Sequence, residues 1–205
     1  MTDDFPGLLE PMEQRDRYQG VAVAIVTNTA DPEGMGRVKV SLPWMGDDIE
    51  TTWARLATPM AGSDRGMYFP PEVDDEVLVA FEHGSPSTPY VLGGLWNGKD
   101  LPPDSNTDGA NDRRVIVSRS GQVIRFNDKE GEEGIEIVDA DATTSIVINS
   151  NDHTITVKAG ADITIEAADG TLTLQAREVK VRAEQSMELE ADATMTIKGQ
   201  TVNIN

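Results

Sequence analysis

Residues 154–205 read TITVKAGADITIEAADGTLTLQAREVKVRAEQSMELEADATMTIKGQTVNIN, and this stretch decides the fold. Its apolar residues come in alternating pairs: Ile155/Val157, Ile163/Ile165, Leu172/Leu174, Val179/Val181, Met187/Leu189, Met195/Ile197 and Val202/Ile204. Successive pairs are 8, 9, 7, 8, 8 and 7 residues apart. A small residue follows most of them: Ala159, Ala167, Ala176, Ala183, Ala191 and Gly199. Within a unit the period is two, a strand signature, and the unit recurs about every eight residues.

Such short strands bury almost nothing alone. A single-chain parallel β-helix closes its core with rungs of roughly 20 residues or more. An octad supplies one strand and one bend, about a third of a triangular turn. Three copies of the chain, each giving one strand per layer, close the triangle and turn the apolar pairs toward a shared axis. The small residues suit the corners, where backbones crowd. The sequence therefore predicts a homotrimeric shaft with Ile155, Val157, Ile163, Ile165, Leu172, Leu174, Val179, Val181, Met187, Leu189, Met195 and Ile197 as its core. The competing pattern, an antiparallel meander, needs turn formers at every bend. Only Asp169-Gly170 and Lys198-Gly199 qualify, whereas Arg177-Glu178, Glu184-Gln185 and Ala191-Asp192 do not.

Ahead of the shaft the chain falls into four further parts. Residues 1–17 are polar and acidic with Pro6 and Pro11, an N-terminal arm. Residues 18–96 hold five strand-like runs: Gly20–Thr27, Gly36–Leu42, Thr51–Thr58, Glu76–Glu82 and Pro89–Trp96. Val38, Val40 and Leu42 share one face of the second. A Pro/Gly turn, DPEGMG, follows the first run, and a longer loop joins the third to the fourth. Five strands with a long third connection and no helix predict a small closed barrel of the OB type. Residues 97–112, NGKDLPPDSNTDGAND, are a linker by composition. Longer period-two strands occupy 113–153 as a lead-in to the octads, with KEGEEG as a turn. The fold class expected is all-β: a five-stranded OB barrel followed by an intertwined, triple-stranded β-helix or β-prism.

Composition narrows the function. The formal net charge is −19, with 20 acids against 7 bases up to Asp112 and 16 against 10 after it. Nucleic acid and anionic lipid need clustered Lys and Arg, so neither is an expected partner. The acids instead keep a long particle soluble. No apolar run approaches bilayer thickness. The acidic start lacks the positive charge of a secretory signal, so assembly in a cytoplasm without a signal peptide is expected. There are no cysteines, hence no disulfide or thiolate metal site. No carboxylate pair or His–nucleophile constellation stands out, and no enzyme activity is expected. His83 ends a strand as a rim residue. His153 sits beside a turn, and three copies meeting on an axis would suit a transition metal, but a turn position faces water. No cofactor is expected.

Several segments carry a resemblance. YQGVAVAIVTN, DPEGMGRVKVSLPW, WARLATPMAG, GMYFPPEVDDEVLVAFEHGSPSTPYVLGGLWNG and the closing DLPP, together spanning Tyr18–Pro103, resemble the OB domain of contractile-tail spikes. These are the phage baseplate assembly protein V and the VgrG-type spikes of type VI secretion. SRSGQVIRFNDKEGEEGIEIVD resembles the start of that family's shaft, with Gln122 where His is frequent. The resemblance implies a trimeric puncturing spike: an OB collar seated on a baseplate hub, above a prism aimed at the target envelope. At most about 17 residues precede the OB stretch here, where VgrG-type chains carry a large hub domain. A separate hub protein, as in phage tails and phage-like extracellular injection particles, is therefore expected. Some phage spikes insert a lysozyme between barrel and shaft; this interval is the short linker 97–112. Others end in an iron-binding His-x-His tip, which TMTIKGQTVNIN lacks, so no metal is expected. Val202, Asn203, Ile204 and Asn205 are the expected docking residues for a PAAR-type tip protein, and the target membrane is met only transiently. The alternatives are an OB module gripping an oligosaccharide or oligonucleotide, with a β-helical trimerisation tail, and a VgrG-like spike lacking its hub domain. A β-helix carbohydrate enzyme would need a carboxylate cluster on a broad sheet face, which an octad is too narrow to supply.

Overall fold

A computed structural model describes residues 17–46 and 49–204. The arm at 1–16 and Asn205 lie outside the described residues. The first five-stranded sheet uses β1 (Val21–Asn28), β2 (Lys39–Ser41), β3 (Arg55–Leu56), β6 (Glu76–Phe81) and β7 (Pro89–Gly94), in the order β2-β1-β6-β7-β3. A small hairpin, β4 (Ala61–Gly62) with β5 (Arg65–Gly66), sits inside the long third connection.

The sheet closes on itself. β3 runs parallel to β7 through Arg55↔Tyr90 and Leu56↔Val91. The residue just before β3, Ala54, exchanges backbone bonds with Val38 beside β2, at 3.0 and 2.7 Å. The third strand is thus split between two neighbours, which is why only two of the eight residues expected in it count as sheet strand. It is the seam of the barrel.

Alternation decides the core. Ala24 and Val26 of β1, Val38, Val40 and Leu42 around β2, Ala54, Val77, Val79 and Phe81 of β6, and Val91 of β7 all point inward, each with at most 9% exposure. The β1–β2 turn is locked by one carboxylate. Asp31 accepts from the backbone N–H groups of Glu33, Met35 and Arg37, at 3.0–3.2 Å. It also accepts from Nε and Nη2 of Arg37, at 3.0 and 2.7 Å. The hydrogen bonds from the Arg37 guanidinium, reinforced by the backbone donors, hold the Asp31 carboxyl well below the usual carboxylate range.

A second sheet is an antiparallel meander of β8 (Arg113–Val117), β9 (Val123–Asn127), β10 (Gly134–Val138), β11 (Ser145–Asn149) and β12 (Thr154–Lys158). Its turns use the residues the sequence offers. Ser118 and Gly121 close the first, Gly131 at φ 81° lies in the KEGEEG turn, and Asp139 accepts from Thr144 N in the third. Gly134 has no room for a side chain, because a Cβ there would lie 2.6 Å from the Ile148 carbonyl oxygen.

The octads were expected from Thr154. Instead their first pair, Ile155/Val157, lies in β12, hydrogen-bonded in register to β11. The turn before it, with His153 at φ 57°, reverses the chain and keeps this strand in the meander. From Ala159 to Ile204 no strand pairing occurs among the described residues.

Candidate functional site

The second sheet has one aliphatic face. Registers across its five strands align Ile116, Ile124, Ile137, Ile146 and Val157 in one row. The next row on that face is Arg114, Phe126, Ile135, Ile148 and Ile155. Such cross-strand neighbours are the unit of sheet stabilisation. Yet this face is the more exposed one: Ile124, Phe126, Ile137 and Ile146 are 39–47% exposed. The opposite face carries the Arg125–Glu136 ion pair at 2.6 Å and is half-buried. A sheet whose isoleucine-rich face is the more exposed one marks an interaction surface.

The shaft repeats that condition. Bends fall at Gly160–Ala161, Ala168–Gly170, Arg177, Glu184–Gln185, Asp192–Ala193 and Gln200. Each lies one or two residues after a small residue of the repeat, at Ala159, Ala167, Ala176, Ala183, Ala191 and Gly199. Between bends the backbone makes no turn. The second member of the pair has the same 69% exposure at Ile165, Leu174, Val181 and Leu189, although the side chains differ. The surroundings of that position therefore repeat from octad to octad. The first members, Ile163, Leu172, Val179, Met187 and Met195, are 48–57% exposed, and Ile197 is 65% exposed. At the far end Val202 is 50% and Ile204 is 89% exposed, with Asn203 exposed between them. Asn205, the last of the four expected tip-docking residues, lies outside the described residues.

The barrel adds a smaller apolar feature that period-two reading missed. Tyr18 packs edge-on to Trp44 at 4.6 Å and against Phe81 at 6.3 Å, between ring centroids. With Val21 and Val23 they line a groove of ≈ 520 Å³. Tyr18 and Trp44 lie outside any strand, so no periodicity signals their meeting. Trp53 lies near two cations, Arg37 at 5.9 Å and Lys39 at 5.6 Å from the ring. Trp96 is 69% exposed beside the linker.

His83 and His153 stand apart on exposed turns at φ 50° and 57°. Among the described residues no group of three or more His, Asp or Glu side chains is placed to hold a metal. No helix among them is long and apolar enough to cross a membrane.

The profile of the type VI secretion system/phage-baseplate injector OB domain matches residues 22–96. Those residues run from the start of β1 to just past β7, the closed barrel. Over the barrel the chain is similar to the contractile spikes of VgrG and baseplate-V type. The type VI secretion system spike protein VgrG3 of Vibrio cholerae is 27% identical over 143 residues, covering 65% of this chain and 14% of its own length. VgrG4b of Pseudomonas aeruginosa is 31% identical over 140 residues, covering 61% of this chain and 17% of its own. The actin cross-linking toxin VgrG1 of Vibrio cholerae is 24% identical over 178 residues, covering 79% of this chain and 16% of its own. The chain thus spans about a sixth of the length of these relatives. The matches to them reach well past the barrel, as the resemblance of SRSGQVIRFNDKEGEEGIEIVD implies.

Proposed function

We propose that this chain is the structural central spike of a contractile injection machine, a phage tail or a phage-like extracellular particle. It works as a homotrimer, with three barrels forming a collar on the baseplate hub and three tails wound into a shaft that punctures the target envelope. The carrying observation is the run of evenly bent octads whose apolar pairs find no cover within their own chain. Three copies bring Ile163, Ile165, Leu172, Leu174, Val179, Val181, Met187, Leu189, Met195 and Ile197 together, with the Ile155/Val157 strand continuous from the sheet above.

The role is mechanical and non-enzymatic. In the wound shaft every interior backbone group pairs with another chain, so bending one chain requires breaking the others. Each layer advances ~4.8 Å, the spacing of neighbouring strands, and the six layers after β12 give a rod of roughly 30 Å below the sheet. Axial thrust passes through such a rod without a hinge. A PAAR-type tip protein on Val202, Asn203, Ile204 and Asn205 supplies the point; the exposed Val202 and Ile204 support that placement. The particle is assembled in the cytoplasm, and membrane is met only during the strike. Electron micrographs of the purified full chain should show a slender rod projecting from a wider collar. Compact globules without a projection would contradict the proposal.

A further inference from the structure

The outward side of the shaft carries a pattern of its own. With each apolar pair facing the axis, the residue after the pair faces out, on the strand face opposite to the pair. In order these residues are Lys158, Glu166, Gln175, Arg182, Glu190 and Lys198. All are exposed, and none of the charged ones makes an ion pair among the described residues. The residue between the members of a pair is also outward: Thr156, Thr164, Thr173, Lys180, Glu188 and Thr196; of these, Lys180 makes an exposed ion pair with Glu178 at 3.2 Å.

We infer that these charges are a register code between copies of this chain, resting on the trimeric reading above. In a three-sided shaft each bend carries a chain to the next side and up one layer. On any side, octad n of one copy then lies beside octad n+1 of another. That adjacency sets Lys158 beside Glu166, Arg182 beside Glu190, Glu190 beside Lys198, and Lys180 beside Glu188. Every charged contact in these two columns is between opposite signs.

Other windings fail on the same residues. A single chain coiled on itself places octad n beside octad n+3, so Lys158 meets Arg182 and Glu166 meets Glu190. A two-copy winding splits that step of three into one and two, so part of its contacts pair n with n+2, which sets Arg182 against Lys198 while placing Glu166 beside Arg182. Like charges directly opposite one another on neighbouring strands are destabilising. The first octad already presents the required edge. β12 is the outer strand of its sheet, with one row of backbone groups unpaired. The three residues Ala159–Ala161 before the next strand are too few for the crossover that would pair it in parallel with its own chain, which takes a dozen or more. The strand that completes that edge is Asp162–Glu166 of a second copy.

The absence of native cysteine makes the seam testable in the full chain. Arg182→Cys with Glu190→Cys, oxidised and run on a denaturing gel, should give covalently closed trimers that reductant returns to single chains. Light scattering on the reduced variant separates the two claims. A reduced trimer that yields only single chains on oxidation overturns the register and leaves the trimer standing. A reduced monomer, with wild type also monomeric, overturns both. If only the variant is monomeric, charge reversals decide: Glu190→Lys should lower the melting temperature by roughly 5–10 °C at low salt. Adding Arg182→Glu and Lys198→Glu should restore it, and failure to restore overturns the code. Lys158→Cys with Arg182→Cys should form no bond within one chain, and such a bond would favour the single-chain coil instead.

Discussion

The barrel and the shaft solve the burial problem in opposite ways. Ten hydrophobic core residues of the barrel reach 9% exposure or less within one chain. In the octads the apolar pairs stay about half or more exposed. The barrel closes because its third strand touches both edges of the same sheet. After β12, no octad among the described residues has a second strand of its own chain to touch. On the proposed trimeric reading, a fold that is complete alone and a fold that is complete only among copies share one polypeptide, and each should fail independently of the other.

The largest expected effect lies in the shaft. Ile165→Asp places three like charges on one axis, where unpaired burial is strongly destabilising, and trimers should be lost by light scattering. The barrel should survive, read by the near-ultraviolet signal of Trp44, Trp53 and Trp96. Trimers that resist heat and detergent like wild type would break the comparison. The reciprocal change is Leu42→Ala, at 1% exposure in the barrel core. It should cost about 2–5 kcal/mol of barrel stability by calorimetry while the sedimented trimer persists.

Gly134→Ala probes the junction. Its new methyl meets a backbone carbonyl, so strain of about 1–3 kcal/mol should weaken the meander, read as faster amide exchange in β10 and β11. The smallest effect is pH-dependent. Because the Asp31 pKa is depressed in the fold, its contribution is present above the ordinary carboxylate range near 4 and declines as pH falls below it. Asp31→Asn should therefore lower the barrel's melting point at pH 7, and the gap from wild type should narrow toward pH 2. A gap independent of pH would mean that Asp31 acts only through neutral hydrogen bonds.

Much of this was legible in residue order. Val38, Val40 and Leu42 alternate and are buried together; the corners announced by Ala159, Ala167, Ala176, Ala183, Ala191 and Gly199 bend where the small residues stand. What stayed hidden depends on partners distant in sequence. Arg55–Leu56 is a short strand because Ala54 is bonded elsewhere, and nothing local says so. The Tyr18–Trp44–Phe81 cluster joins three segments with no shared period. Ile155/Val157 fits the octad pattern as well as any later pair, but the turn at His153 gives it to the meander. The charges of the octads acquire meaning only in the proposed winding, which sets one face outside.

Molar mass by light scattering on the full chain tests the central claim most directly. The account predicts three times the 22.2 kDa of one chain, unchanged on dilution. A well-folded particle of 22.2 kDa would contradict it.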